Sequence, residues 1–254
     1  MEEPLTGGNT HAGVVKVGST VRRPTGSWTP SVHSLLRHLD HRGFAHAPRV
    51  LGVDEQGRES LSFVDGVVIH PDHDGIVGDD DRALAEVAGV IRAYHDAVSD
   101  FPVDSARVWG ENGRDPVGPP ELVCHNDLAP WNLVRGRDGS WTFIDWDLAA
   151  PGRRSWDLAW ALLGFVSLMP EAALADADVR RRIGVFREAY GAALFPADVL
   201  DVALERCEHE AGRIRDLGAA GIEPYVRLRT EGHGEIWAAA ANHVRLYSPR
   251  WSRA

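Results

Sequence analysis

Two short apolar runs in this chain end in groups able to hold a cation and take up a proton. The first is Leu122-Val123-Cys124-His125-Asn126-Asp127-Leu128-Ala129-Pro130-Trp131-Asn132-Leu133-Val134, and the second is Trp141-Thr142-Phe143-Ile144-Asp145-Trp146-Asp147. Asp145 and Asn132 offer hard oxygen ligands of the kind Mg²⁺ takes, alongside phosphate oxygens and water. Asp127, five residues before Asn132, is spaced to point at an incoming hydroxyl or amine and accept its proton. Phosphoryl transfer asks a protein for metal, alignment and charge neutralisation rather than for covalent chemistry. A base and a metal clamp of these residue types therefore point to that reaction. Residues 135–140 between the runs include Asp138-Gly139, a hairpin signal. The hairpin is expected to bring Asn132 and Asp145 close together.

The elements around this block divide into two kinds. Residues 13–17 read as a strand, Gly18-Ser19 as a hairpin turn, and Thr20-Val21-Arg22-Arg23 as the partner strand, stopped by Pro24. A helix is expected next, with Thr29 as N-cap, Pro30 at the first helical position, Val32, Leu35, Leu36 and Leu39 on its apolar face, and Gly43 closing it. Residues 49–53 and 59–64 read as two further strands turned around residues 54–57. Beyond residue 83 the period is helical: Leu84, Val87, Ala88, Ile91 and Val98 share a face, and residues 171–246 read as about four helices broken near Gly191 and Gly218-Gly221. The order predicts an α+β chain of two unequal lobes, with boundaries at 1–66 for a β-rich nucleotide-binding lobe and 67–254 for a mainly helical lobe carrying catalysis and substrate binding.

The spacing His-x-Asp-x-x-x-x-Asn, followed by an apolar-flanked Asp, is the catalytic-loop pattern of protein kinases. In the form His125-Asn126-Asp127-x-x-Pro130-x-Asn132 with Ile144-Asp145-Trp146-Asp147, it resembles the aminoglycoside phosphotransferase family, which includes choline-kinase-like enzymes. Trp156-Asp157-Leu158-Ala159 resembles that family's downstream segment, Val21-Arg22-Arg23-Pro24 the end of its third strand, and Phe63-Val64-Asp65-Gly66 its inter-lobe hinge. The resemblance covers roughly residues 5–165. It implies a protein-kinase-like two-lobe fold with Asp127 as catalytic base and Asn132 and Asp145 as Mg²⁺ ligands. ATP or GTP would be the phosphate donor, contacted by Arg22, Arg23, Gly8, Ser62 and Val64. It makes His125 a structural residue beneath the loop and Asp157 another structural residue. Asp147 is left open between a site role and a surface one.

The chain departs from that family at four places. The phosphate-holding basic residue is an arginine; Arg22 fits the strand alignment better than Arg23, and a guanidinium can grip phosphate bidentately. The Glu that ordinarily pairs with it is missing from the helix near residues 30–39, where His33 and His38 are the nearest polar candidates. Gly7-Gly8-Asn9-Thr10 lacks the GxGxxG spacing of a phosphate-covering loop. Asn126 stands where the family often has glycine, and Asn reaches left-handed backbone angles more readily than most residues.

The bulk numbers limit the alternatives. Hydrophobic residues at 44% and charged residues at 25% suit a globular chain. The net charge of −10 argues against nucleic acid as a partner; it suits a cationic small molecule, and it equally serves plain solubility. Cys124 and Cys207 form no disulfide framework, and Cys124 lies in an apolar run that favours a buried, inert thiol. No secretory signal or membrane span is visible, so a cytoplasmic location is expected. Asp72, Asp74 and Asp79-Asp80-Asp81 do not meet the EF-hand pattern and read as a solvated loop. Most of the tryptophans read as core, with Trp131 the exception, and the carboxylates of the C-terminal helices read mostly as solvated faces. Only eleven residues separate Asp145 from Asp157, too few for the regulated segment of a protein kinase. The expectation is a small-molecule phosphotransferase acting on a hydroxyl of an amine-bearing compound such as an aminoglycoside-like antibiotic. The competing reading is a non-catalytic binding or immunity protein that keeps the fold.

Overall fold

The structure is a computed structural model that describes residues 2–5, 13–69, 80–103, 107–110 and 115–252. The chain forms two compact units, Met1–Gly75 with Gly89–Arg154, and Ile76–Ala88 with Ser155–Ala254. The cut expected near residue 66 therefore lies inside the first unit, together with the whole motif-bearing block.

The first unit carries a five-stranded antiparallel sheet of order β1-β2-β3-β5-β4, from β1 (Glu2–Pro4), β2 (Val15–Val17), β3 (Thr20–Arg23), β4 (Val50–Val53) and β5 (Glu59–Ser62). The β2–β3 hairpin turns at Gly18, whose φ of 61° is the left-handed angle such a turn requires. β1 gives no signal in the sequence because it is a short, fully exposed edge strand with no alternation. α1 (Thr29–His41) buries Val32, Leu35, Leu36 and Leu39 as its period predicts. It starts one residue earlier than expected. Thr29 is its first residue rather than its cap, because the Thr29 hydroxyl already accepts the Gly26 amide at 2.9 Å, and the Trp28 carbonyl accepts the first helical amides. Gly43, at φ 74°, follows the helix end.

The same unit holds two smaller sheets. In one, β6 (Val67–Val68) pairs with β8 (Leu133–Arg135), which pairs with β9 (Trp141–Phe143). In the other, β7 (Leu122–Cys124) pairs with β10 (Ala150–Gly152). α2 (Asp81–Ala97) buries Leu84, Val87, Ala88 and Ile91, and its Tyr94 hydroxyl donates to the Val123 carbonyl at 2.6 Å, tying the helix to β7.

The second unit is helical. α3 (Arg154–Ala161) leads into a π turn at Leu162–Ser167, then α4 (Asp176–Tyr190), α5 (Val199–Ala219), α6 (Tyr225–Thr230) and α7 (His233–Trp251). The last four are the helices expected between residues 171 and 246. α5 packs along α6 and α7, burying Val202, Ala203, Cys207 and Ile214 against a core that includes Ala240 and Val244. Most of the carboxylates on these helices lie on outer faces paired to arginines, Glu231 with Arg227 at 3.1 Å and Asp216 with Arg215 at 2.8 Å. Glu210 is the exception, buried and bonded to Arg213. Among the described residues no helix is long and apolar enough to cross a membrane.

Candidate active site

The turn that carries the motif is built between β7 and β8. His125 is fully buried, with its ring 4.4 Å from that of Trp146, and its Nδ1 accepts the Asp127 amide at 3.2 Å. Asn126 adopts φ 67°, the left-handed angle its residue type tolerates, and its side-chain amide donates to the Leu148 carbonyl at 2.9 Å. A single 3₁₀ turn, Pro130–Asn132, then returns the chain to β8. It brings the Asn132 amide nitrogen to 2.6 Å from Asp127 Oδ2 and 3.1 Å from the Asp127 carbonyl. One bond on the backbone completes the group: the Ile144 amide donates to the Asn132 carbonyl at 2.9 Å. Asn132 thus joins Asp127 on one side to the residue before Asp145 on the other. The β8–β9 hairpin, with Leu133 opposite Phe143 and Gly139 in its turn, does the folding back that the Asp138-Gly139 signal predicts.

Asp145 follows β9 at φ 61°. A non-glycine residue in that region stores backbone strain, and such residues collect at functional sites. The angle turns its carboxylate, about one third exposed, toward the end of β3, where it meets Arg23. Arg23 is 7% exposed and spends all three of its donor nitrogens on carboxylates. Nε bonds Glu59, NH1 bonds Asp145 at 3.1 Å, and NH2 bonds Asp147 at 2.6 Å. Burial works against the charged guanidinium, but Asp147, Glu59 and Asp145 more than offset it and hold its pKa above the ordinary value. Glu59 is also buried, and its second oxygen accepts His33 Nε2 at 2.8 Å. Three carboxylates surround one guanidinium, so this cluster carries surplus negative charge. Hard oxygens beside surplus negative charge suit a divalent cation. Asp145 and the Asn132 amide oxygen are hard oxygen donors of the kind such a cation takes.

The residues singled out from the sequence fall in different places. Arg23, rather than the favoured Arg22, meets Asp145. Successive side chains of a strand point to opposite faces, and Arg22 instead lies 3.6 Å from Asp54. Glu59 is a residue that motif spacing does not reveal. It lies directly across from Arg23 in the β3–β5 register, and an acidic residue opening a strand next to an arginine strand is the one signal that could have found it. Asp147 is buried against Arg23, so a surface role is excluded. Ser62 ends β5, its hydroxyl accepting the Arg49 amide at 2.8 Å, and Val64 follows in the strand-free segment before β6. Gly8 lies outside the described residues. Trp131, 42% exposed beside the motif-bearing turn, is the exposed tryptophan expected there, while Trp109, Trp146, Trp156 and Trp160 are core. Asp157 is fully buried on α3, and Cys124 and Cys207 are buried thiols outside any disulfide.

Residues 105–198 match the phosphotransferase enzyme family. That stretch contains Asp127, Asn132, Asp145 and Asp157, four of the residues that carry the sequence resemblance. The fold extends the likeness to nearly the whole chain. Choline kinase LicA from Streptococcus pneumoniae superposes with a TM-score of 0.60 at 13% identity, covering 97% of this chain and 94% of that one. The GDP complex of aminoglycoside 2′-phosphotransferase-IIIa gives 0.56 at 15% identity, covering 95% and 92%. The chain therefore has the two-lobe α+β fold of these kinases. A nearer relative in sequence is a trifolitoxin immunity protein from Rhizobium leguminosarum bv. trifolii, 35% identical over 184 residues. The alignment takes in 71% of this chain and 66% of the immunity protein.

Proposed function

We propose that this chain is a phosphotransferase moving the γ-phosphoryl group of ATP or GTP to a hydroxyl of a small, amine-bearing molecule. The observation that carries the reading is Asn132, bonded at once to the Asp127 carboxylate and to the backbone leading into Asp145. A base and two metal donors held in one hydrogen-bonded unit serve transfer more directly than they serve binding alone. Asp127, its carboxylate oriented by Asn132, accepts the acceptor hydroxyl's proton as the new oxygen–phosphorus bond forms and the bond to the β-phosphate oxygen breaks. Asp145 and Asn132 would hold Mg²⁺, which would supply positive charge to the donor's phosphates. Arg23 NH1, bonded to Asp145, keeps a second N–H that can donate to a phosphate oxygen. The net charge of −10 favours an aminated acceptor, an aminoglycoside-like antibiotic among them.

A second reading has its own support: the 35% identity to an immunity protein suits a chain that binds a toxin and transfers nothing. Calorimetry of ATP and GTP, with and without Mg²⁺, on wild type and Asp145→Asn separates the two. Asn tolerates the left-handed angle at residue 145, so the variant removes charge without disturbing the backbone. Mg²⁺-dependent binding in wild type, weakened at least tenfold in the variant, is expected. No nucleotide binding under any condition would sink the enzymatic reading and favour the immunity one.

A further inference from the structure

The helix that should supply a carboxylate to the phosphate-side basic residue has none, yet Arg23 is more tightly held than a single helix glutamate could hold it. Two of its three donor groups are committed to carboxylates that are themselves buried: Nε to Glu59 and NH2 to Asp147. Only NH1 faces an acceptor with solvent access, Asp145, whose side chain is 35% exposed. The guanidinium is therefore clamped along one edge and presents the other. Glu59 in turn is fixed from both sides, by Arg23 on Oε1 and by His33 of α1 on Oε2 at 2.8 Å. A carboxylate flanked by an arginine and a histidine accepts from both, so His33 donates through Nε2.

We propose that Glu59 and His33 are positioning residues for nucleotide phosphate: a strand carboxylate and a helix imidazole together replace the missing helix glutamate, and hold Arg23 so that NH1 alone serves Asp145 and the phosphates. This rests on the phosphotransferase reading above. It makes the coupling of α1 to the site run through β5 rather than directly to β3. It also explains why an arginine stands here. A lysine ammonium is a single point charge, whereas a guanidinium can be anchored through two nitrogens while a third works.

The test is Glu59→Gln, a change of similar shape that keeps one acceptor oxygen, read by calorimetry against Mg·ADP and against adenosine. The expected result is Mg·ADP binding weakened about tenfold or more with adenosine binding unchanged. A residue that merely stabilises the fold would move both ligands alike. Arg23→Gln and the Arg23→Gln/Glu59→Gln pair close a double-mutant cycle: if Glu59 acts through Arg23, the pair is no weaker than Arg23→Gln alone. His33→Gln, which retains a donor, should bind nearly as wild type, and His33→Leu should fall toward Glu59→Gln. Unchanged Mg·ADP affinity in Glu59→Gln, or additive losses in the cycle, overturns the inference while leaving the enzyme reading intact. A wild type that binds no Mg·nucleotide overturns both.

Discussion

Asp127 and Asn132 are five residues apart, yet they act as one group because the Asn132 amide is bonded to the Asp127 carboxylate at 2.6 Å. Asp127→Asn leaves an oxygen to accept that bond and removes only the proton acceptor. Transfer to a small-molecule hydroxyl is expected to fall by about 10²–10⁴-fold, the usual worth of a general base, with Mg·nucleotide affinity within about twofold of wild type by calorimetry. Normal turnover in this variant would remove Asp127 as base. Arg23 is a stricter case. Its three donor nitrogens meet three separate carboxylates, and lysine cannot match that fork. Arg23→Lys keeps the charge but leaves buried acceptors short of donors, so urea unfolding should show a loss of about 1–3 kcal/mol. A variant as stable as wild type would mean that charge alone, not the fork, holds the cluster.

Elements matter here through the closeness with which they bring backbone to backbone. Gly110, in the segment before β7, sits so near the chain after β9 that a Cβ there would lie 2.6 Å from the Asp147 carbonyl oxygen. Gly66 is similar: its Cβ would stand 2.3 Å from the Arg135 carbonyl. In both cases the obstacle is backbone, which cannot rotate aside. Gly110→Ala should therefore push the segment bearing Asp147, costing about 1–3 kcal/mol as other overpacking changes do. Because Asp147 is an anchor of Arg23, thermal melts should show the loss and calorimetry should show weaker Mg·nucleotide binding with it. Loss of stability alone would separate Asp147 from the phosphate side of the site. The tether from Tyr94 to the Val123 carbonyl is the other element-scale device. It fixes β7, and so the turn that begins at His125, to a helix whose apolar face is fully buried.

At the scale of the whole molecule the two thiols report on integrity. Cys124 and Cys207 are both inaccessible, and the Cys124 thiol donates to the Arg153 carbonyl at 3.3 Å. Burial pushes the Cys207 thiol up to about 12. Its thiolate, the reactive form, is therefore scarce at pH 8. Native protein at pH 8 is expected to leave both thiols unlabelled by a disulfide reagent over minutes, and denatured protein should release two equivalents. Rapid labelling of one thiol in the native protein would show that its unit opens locally.

How much of this is legible in the sequence follows from the separation of the residues that meet. The Asp127–Asn132–Asp145 group is readable because every contact that assembles it is local: a 3₁₀ turn at Pro130–Asn132 and a hairpin with Leu133 opposite Phe143. Turn chemistry and alternation are written in adjacent residues. The apolar faces of α1 and α2 are readable for the same reason, since helical period needs no partner. Arg23 is not. Choosing it over Arg22 requires the face of β3 that turns to the site, and that parity follows from pairing with β5 some 36 residues away and contact with Asp145, 122 residues away. Glu59 is hidden by the same fact, because a strand's register is settled by its neighbours across the sheet and a shift of one residue exchanges its faces. Motif spacing points to the chemistry proposed; long-range strand pairing decided which charge stands beside the motif and what holds that charge in place.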